Sequence, residues 1–93
     1  MRQIDFTKSA ERSLRKLAEA DRRIAKQIKI KLLALLQEPQ PPESLKMVGN
    51  PEYLRIRVGK YRIIYRYDAA MLYVVLIAKR EIVYEEFARL IAR

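Results

Sequence analysis

The four residues Val58-Gly59-Lys60-Tyr61 constrain the fold of this chain more than any other segment. A two-residue loop with glycine at its first central position is what a type II′ hairpin turn requires. Counting outward from this turn pairs Arg57 with Arg62, and the alternation of side chains then separates two faces. The apolar face carries Leu54, Ile56, Val58, Tyr61, Ile63 and Tyr65, and the other, here named the arginine face, carries Arg55, Arg57, Arg62 and Arg66.

The arginine face is costly to build from the standpoint of folding alone. Like charges directly opposite each other, such as Arg57 and Arg62, destabilise a sheet by up to about 1 kcal/mol. Arginines on a solvated strand face can simply keep the sheet soluble and discourage edge aggregation. Because these charges share one sign and stack across a hairpin, we interpret the face as an anion-binding surface.

The overall charge agrees with that interpretation. The chain has 93 residues, enough for one domain with its own core. Its 20 lysines and arginines against 11 acids give a formal charge of +9 and a pI near 10.1. Such a basic domain is expected to bind a polyanion. Nucleic acid is the favoured partner, followed by an acidic protein or a membrane surface.

The composition also indicates a compartment. No cysteine is present, which fits a reducing cytoplasm. The first residues alternate charged and apolar types, unlike a signal peptide. The longest apolar run, Ala69 to Ala78, is too short to span a bilayer. We therefore expect a cytoplasmic protein that does not bind membranes.

Hydrophobic periodicity predicts an α+β fold. Thr7 or Ser9 is expected to cap a helix running to about Glu19, and Asp21 a second helix ending before Pro39. The fold class is two N-terminal helices packed on a small, mostly antiparallel four-stranded sheet with a short C-terminal helix. The predicted strands are residues 2–6, 53–58, 61–67 and 71–78, and the last helix is residues 84–91. The strand 71–78 is apolar on both faces, so it is either central or covered by a partner.

The residue types narrow the possible chemistry. There is no histidine, the acids are scattered, and only Gly49 and Gly59 are glycines, so no metal site or cofactor is predicted. Any catalysis must then use Arg, Lys and Tyr. These types suffice for RNA cleavage by the ribose 2′-hydroxyl, in which guanidiniums bind the charge that develops on the phosphate. Arg80 and Tyr84 follow the last strand and are expected to face Arg57 and Arg62.

The stretch from Tyr53 to Tyr65, with RVGKYRIIY at its core, and the later Lys79-Arg80-Glu81 and Tyr84 resemble the RelE/ParE superfamily of toxins. The resemblance covers nearly the whole chain and is strongest to the RelE branch. It implies a ribosome-dependent mRNA endonuclease of a type II toxin–antitoxin system that needs no metal ion. The implied partners are a cognate antitoxin, in a hetero-oligomer, together with the ribosome and mRNA.

The resemblance also implies roles for individual residues. The catalytic set is Arg57, Arg62, Arg80 and Tyr84, and the RNA-binding set is Arg55, Lys60, Arg66, Lys79 and Lys46. Arg62 and Arg80 would stabilise the phosphate transition state, while Tyr84 would orient or protonate the scissile site. Arg55 and Arg57 stand where relatives often carry lysines, and arginine cannot act as a base. The base is then Tyr84, Lys60, Lys79 or a ribosomal group.

Two other functions remain open from the sequence. The ParE branch suggests a toxin that poisons DNA gyrase without cutting nucleic acid. The arginines at lysine-type positions suggest a weakly active relative that only binds an antitoxin. In either toxin reading, the strand 71–78 and the helix surfaces are expected to leave apolar area for the antitoxin to cover.

Overall fold

The computed structural model describes residues 1–92, which form one mixed sheet with helices on both of its faces. In chain order the elements are β1 Gln3–Phe6, α1 Lys8–Ala20, α2 Arg22–Gln37, β2 Leu45–Met47, β3 Asn50–Val58, β4 Tyr61–Tyr67, β5 Met71–Lys79 and α3 Val83–Ile91. The sheet order is β1-β5-β4-β3-β2, in which only β1 and β5 run parallel. The predicted fold class is confirmed, except for the number of strands.

The hairpin of β3 and β4 has the predicted register. The observed pairs are Val58–Tyr61, Arg57–Arg62, Ile56–Ile63, Arg55–Ile64 and Leu54–Tyr65. Gly59 has a φ of +58°, whereas Lys60 does not have a positive φ. That combination fits the predicted type II′ turn and not type I′, which needs positive φ at both central residues.

Both N-terminal helices begin at side-chain caps. The hydroxyl of Thr7 accepts a hydrogen bond from the Ala10 amide (3.1 Å) and donates one to the Val75 carbonyl (2.6 Å). The same residue therefore caps α1 and fixes its start to β5. Asp21 caps α2 by accepting from the Ile24 amide at 3.2 Å. Each cap satisfies an amide that would otherwise lack a partner in the first turn.

The larger core lies between the helical hairpin and the sheet. One stripe of α2, which includes Ile28, Leu32 and Leu35, is almost fully buried against the apolar face. The sheet contributes Leu54, Ile56, Val58, Ile63, Tyr65, Leu72, Val74 and Ile77. Burial on this scale, at about 25 cal/mol per Å² of apolar area, is what holds two such cationic helices onto the sheet.

A second, smaller core lies on the opposite side of the sheet under α3. Val83 and Phe87 pack there against Ile64 and Leu76, and the rings of Phe87 and Tyr53 meet edge to face with centroids 5.0 Å apart. As a result β5 is buried on both faces by its own chain, with every residue from Leu72 to Ala78 except Tyr73 buried. The expectation that this strand offers apolar area to a partner is therefore wrong.

The sheet has five strands and not the predicted four. The additional strand, Leu45–Met47, pairs with β3 through a register shift and is only three residues long. Its sequence is too short to show alternation and follows a proline-rich segment, so sequence patterns could not reveal it. Within the described residues, no helix is both long enough and apolar enough to cross a membrane.

Candidate nucleic-acid interface

Helix α3 divides the arginine face. It covers the middle of the sheet, including Ile64, which is the cross-strand neighbour of Arg55. Toward the β3–β4 turn the face stays uncovered, and there Arg57 is exposed while Arg62 is partly buried. The cationic surface is thus concentrated at the turn end of the sheet.

Backbone carbonyls in and beside the turn bind the side chain of Arg62 and the backbone of Arg80. Nη1 of Arg62 donates to the carbonyls of Tyr61 (3.0 Å) and Gly59 (3.3 Å). The amide of Arg80 donates to the Lys60 carbonyl at 3.0 Å, which fixes the chain leaving β5 beside the same turn. Arg57, Arg62 and Arg80 therefore lie at the same end of the sheet, with Lys60 in the turn itself.

These cations remain available to an anion. Arg57 has no ion-pair partner within residues 1–92. Arg80 contacts the neighbouring Glu81 at 3.3 Å, but both side chains are more than 60% exposed. Exposed pairs of this kind contribute at most about 1 kcal/mol, which a phosphate contact can replace.

Tyr84 lies against Arg55 and not against Arg57 or Arg62. Nη1 of Arg55 donates a hydrogen bond to the Tyr84 hydroxyl, and the guanidinium carbon lies 5.3 Å from the centroid of the ring. The pair joins β3 to the first turn of α3 across 29 residues of sequence. Sequence reasoning placed Arg55 among direct RNA contacts and did not identify this pairing.

Three predicted RNA-binding residues lie apart from this cluster. Lys79 pairs with Tyr61 and Lys46 with Leu54, so the register assigns both to the apolar face and not to the arginine face. Arg66 stays on the arginine face but stacks on Tyr73, 4.2 Å from the ring centroid. It is four residues along β4 from Arg62, a separation of about 13 Å.

A hollow beside Tyr84 is a further feature that the sequence did not reveal. It has a volume of about 240 Å³ and lies between α3 and the β2–β3 connection. Met47, Val48, Phe87 and Ile91 supply its apolar lining, and Arg55 and Tyr84 also line it. Since β2 was not recognised, no signal in the sequence brought these residues together.

Comparison with known proteins identifies a protein family whose model matches most of the chain. A family model described as the ParE toxin of type II toxin–antitoxin systems (parDE) matches residues 4–84. No curated protein sequence shows a significant match to the chain.

Several solved structures share the fold. A double arginine-to-alanine mutant of the E. coli toxin RelE, in the free state, is 25% identical with a TM-score of 0.71, covering 95% of this chain and 96% of that one. The intact E. coli RelBE toxin–antitoxin complex contains a chain that is also 25% identical, with a TM-score of 0.71 and coverages of 85% and 96%. A YoeB/ParE toxin from Agrobacterium tumefaciens reaches a TM-score of 0.75 at 17% identity, covering 84% and 98%.

Proposed function

This chain belongs to the ParE toxin family of type II toxin–antitoxin systems, within the RelE/ParE superfamily, and from that premise we propose that it cleaves mRNA on the ribosome. The reaction is attack by a ribose 2′-hydroxyl on the adjacent phosphate. It forms the bond from phosphorus to the 2′-oxygen and breaks the bond to the 5′-oxygen. No metal ion is required, because guanidiniums supply the positive charge.

The observation that carries this proposal is the placement of Arg57, Arg62 and Arg80 beside the β3–β4 turn at one end of the sheet. In the transition state, negative charge develops on the nonbridging phosphate oxygens. Arginine binds such oxygens through two parallel N–H donors and keeps its charge at all working pH values. Hydrogen bonds to the turn hold Arg62 before substrate arrives, so its side chain loses less conformational freedom when the phosphate binds.

Proton transfer falls to the side chains that can change protonation state. Lys60 lies in the turn among the arginines and is exposed. Its amine, when neutral, takes the proton of the 2′-hydroxyl. Tyr84, which is hydrogen-bonded to Arg55 on the arginine face, gives a proton to the leaving oxygen.

A cognate antitoxin is the second part of the proposal. The E. coli relative RelE forms a complex with RelB, and a RelB–RelE complex is also known from Methanococcus jannaschii. For this chain the antitoxin is expected to be acidic, to form a hetero-oligomer and to use apolar side chains that the fold leaves exposed. Ile30 and Leu33, one turn apart on α2, are 58% and 65% exposed.

Primer extension on mRNA translated by purified ribosomes tests the cleavage. The wild-type chain should produce cuts in register with codons, and Arg62→Ala and Arg80→Ala should each reduce the cutting rate about 100-fold or more. Arg89→Ala removes an exposed arginine of α3 whose ion pair is with Glu85, and it serves as the matched control. Intact transcripts in cells whose growth the protein has stopped would rule out the proposal.

Inhibition of DNA gyrase is the second candidate function, because the matching family model is that of the ParE toxins. In this case the basic surface would bind protein or DNA without cutting RNA. A supercoiling assay with purified gyrase separates the two candidates. Unchanged supercoiling at equal concentrations of the chain and gyrase would remove this alternative.

A further inference from the structure

We propose that Arg55 is a positioning residue for Tyr84, which it holds with the hydroxyl hydrogen directed toward the substrate. Tyr84 is then the group that protonates the leaving 5′-oxygen and not the base that activates the 2′-hydroxyl. This inference rests on the proposed function and assigns an orientation to one of its residues. It gives Arg55 a role other than direct RNA binding.

Two contacts define the arrangement. Arg55 donates a hydrogen bond to the phenol oxygen and also lies 5.3 Å from the ring centroid, within the range of cation–π attraction. Arg55 is partly buried in β3, between the buried residues Leu54 and Ile56, so its backbone is fixed by the core. The phenol, 42% exposed, is thus held against a rigid strand although it belongs to a short helix.

The chemistry of the pair sets the direction of the phenol hydrogen. A guanidinium has donors only, so it can meet the oxygen of a phenol but not its hydrogen. The single hydrogen of the Tyr84 hydroxyl therefore points away from Arg55. Among residues 1–92 the hydroxyl has no second hydrogen-bond partner, and the hydrogen is free to reach a substrate oxygen.

The same arrangement balances the proton transfer. As the bond from phosphorus to the 5′-oxygen breaks, the phenol hydrogen passes to that oxygen and leaves a phenolate. Arg55 already donates to this oxygen, and a hydrogen bond to the charged form is stronger than one to the neutral form. The phenolate regains its proton from water after the product leaves, and the apolar hollow beside the ring offers room for the first nucleoside of the departing RNA fragment.

The kinetic test is a double-mutant cycle with Arg55→Gln and Tyr84→Phe in the ribosomal cleavage assay. Each single change should lower kcat about 100-fold with KM changed less than twofold, and the double variant should be no slower than Tyr84→Phe. Arg55→Lys keeps one cationic donor and should restore part of the loss. Arg2→Gln disrupts another arginine–tyrosine stack, on Tyr67 at the far end of the sheet, and should leave kcat unchanged.

A different pattern would overturn the inference. If Arg55 contacts RNA directly, Arg55→Gln raises KM, lessens the dependence of binding on salt and adds its effect to that of Tyr84→Phe. Additive losses of this kind would exclude a positioning role.

A measurement on the free protein separates failure of this inference from failure of the proposed function. In protein labelled with ¹³C at the tyrosine Cζ atoms, Arg55→Gln should shift the Tyr84 resonance, which Tyr84→Phe identifies, and Arg2→Gln should not. An unmoved Tyr84 resonance overturns the pairing itself, whatever the activity. A wild-type chain that leaves mRNA intact overturns the proposed function and the catalytic use of the pair.

Discussion

At the scale of single residues, Tyr65 joins the proline-rich segment to the core. Its ring is completely buried and its hydroxyl donates to the Pro39 carbonyl at 2.7 Å. Burial, which disfavours the phenolate, raises the pKa of Tyr65 to about 12. The folded state therefore holds the phenol proton more tightly than the unfolded chain does, where the pKa is about 10.

Tyr65→Phe should change the alkaline stability of the fold. In the wild type, the contribution of this group is complete below about pH 10 and is lost as the pH rises toward 12. Phenylalanine does not titrate, so the variant should lose less stability over that range. At pH 7 it should be less stable by about 1 kcal/mol, the usual value of one hydrogen bond.

Urea unfolding between pH 7 and pH 11 measures both effects. Tyr53→Phe is a suitable control, because the Tyr53 hydroxyl has no hydrogen bond within the described chain. If the wild type and Tyr65→Phe lose stability in parallel above pH 10, the buried phenol is not the group responsible.

Asp68 should act at the acid end of the pH range. Its carboxylate accepts hydrogen bonds from the Ala70 (2.9 Å) and Met71 (2.8 Å) amides, and these lower its pKa. Its contribution to stability is present above the unfolded pKa of about 3.9 and is lost as the pH falls through the lower folded value. Asp68→Asn keeps an oxygen acceptor without a charge, so the acid unfolding curve should become less steep below pH 4.

At the scale of elements, the β3–β4 hairpin joins the helical hairpin to the arginine face. Gly59 has positive φ, and a methyl group placed on it would lie 3.1 Å from Cδ1 of Ile24 in α2. The turn that carries Lys60 and holds Arg62 therefore also packs against a helix on the far side of the sheet. A change in α2 at this point would reach the turn directly.

Gly59→Ala should destabilise the protein by roughly 1–3 kcal/mol through the left-handed backbone conformation, with an added cost from Ile24. Gly49→Ala is a matched control, since Gly49 has a φ of +80° but no atom within 4 Å of the added methyl group. Thermal unfolding should show a larger loss for Gly59→Ala. Equal losses would mean that the contact with Ile24 has no energetic role.

Elements that depend on local sequence were predicted well. The Gly59 turn, the caps at Thr7 and Asp21 and the stripe of α2 each follow from neighbouring residues, and the structure has all of them. Features that depend on distant packing were missed. Helix α3 packs over β5, which buries the second face of that strand, and it brings Tyr84 into contact with Arg55. Local sequence could not predict either feature, because the docking of a helix depends on how its whole apolar side fits the sheet.

The same distinction applies to the candidate site. The register of one hairpin was enough to predict that Arg57 and Arg62 are neighbours. Whether Lys79 and Lys46 lie on the same face as these two arginines depends on where β5 ends and on strand β2, which the sequence did not reveal. A shift of one residue moves a side chain to the opposite face, so these two positions were beyond what composition and spacing could indicate.

At the scale of the whole molecule, most of the net charge lies in the helical hairpin and not on the arginine face. Residues 8–37, the helical hairpin, contain nine lysines and arginines against three acids and carry +6 of the formal +9. Only Arg15 and Lys31 of these nine form ion pairs within the described structure. For the proposed RNA substrate, the helices should therefore dominate the long-range attraction, and the arginine face should make the specific contacts.

Neutralising the helical charges should change the rate of association more than the chemistry. Replacing Arg22, Lys26 and Lys29 with glutamine should slow association with ribosomes several-fold at low salt and have little effect near 0.5 M salt. The cleavage rate of the bound complex should stay the same. Stopped-flow binding at several salt concentrations measures the first quantity, and single-turnover cleavage measures the second.

The pairing of β1 with β5 has a consequence for biosynthesis. These strands join residues 3–6 to residues 71–74, so the first strand made has no neighbour in the sheet until most of the chain has been translated. A chain terminated before residue 71 would lack β5, Arg80 and the helix that carries Tyr84. The fold thereby ties toxicity to completed translation, and unfinished chains released from the ribosome would do no damage to the cell that made them.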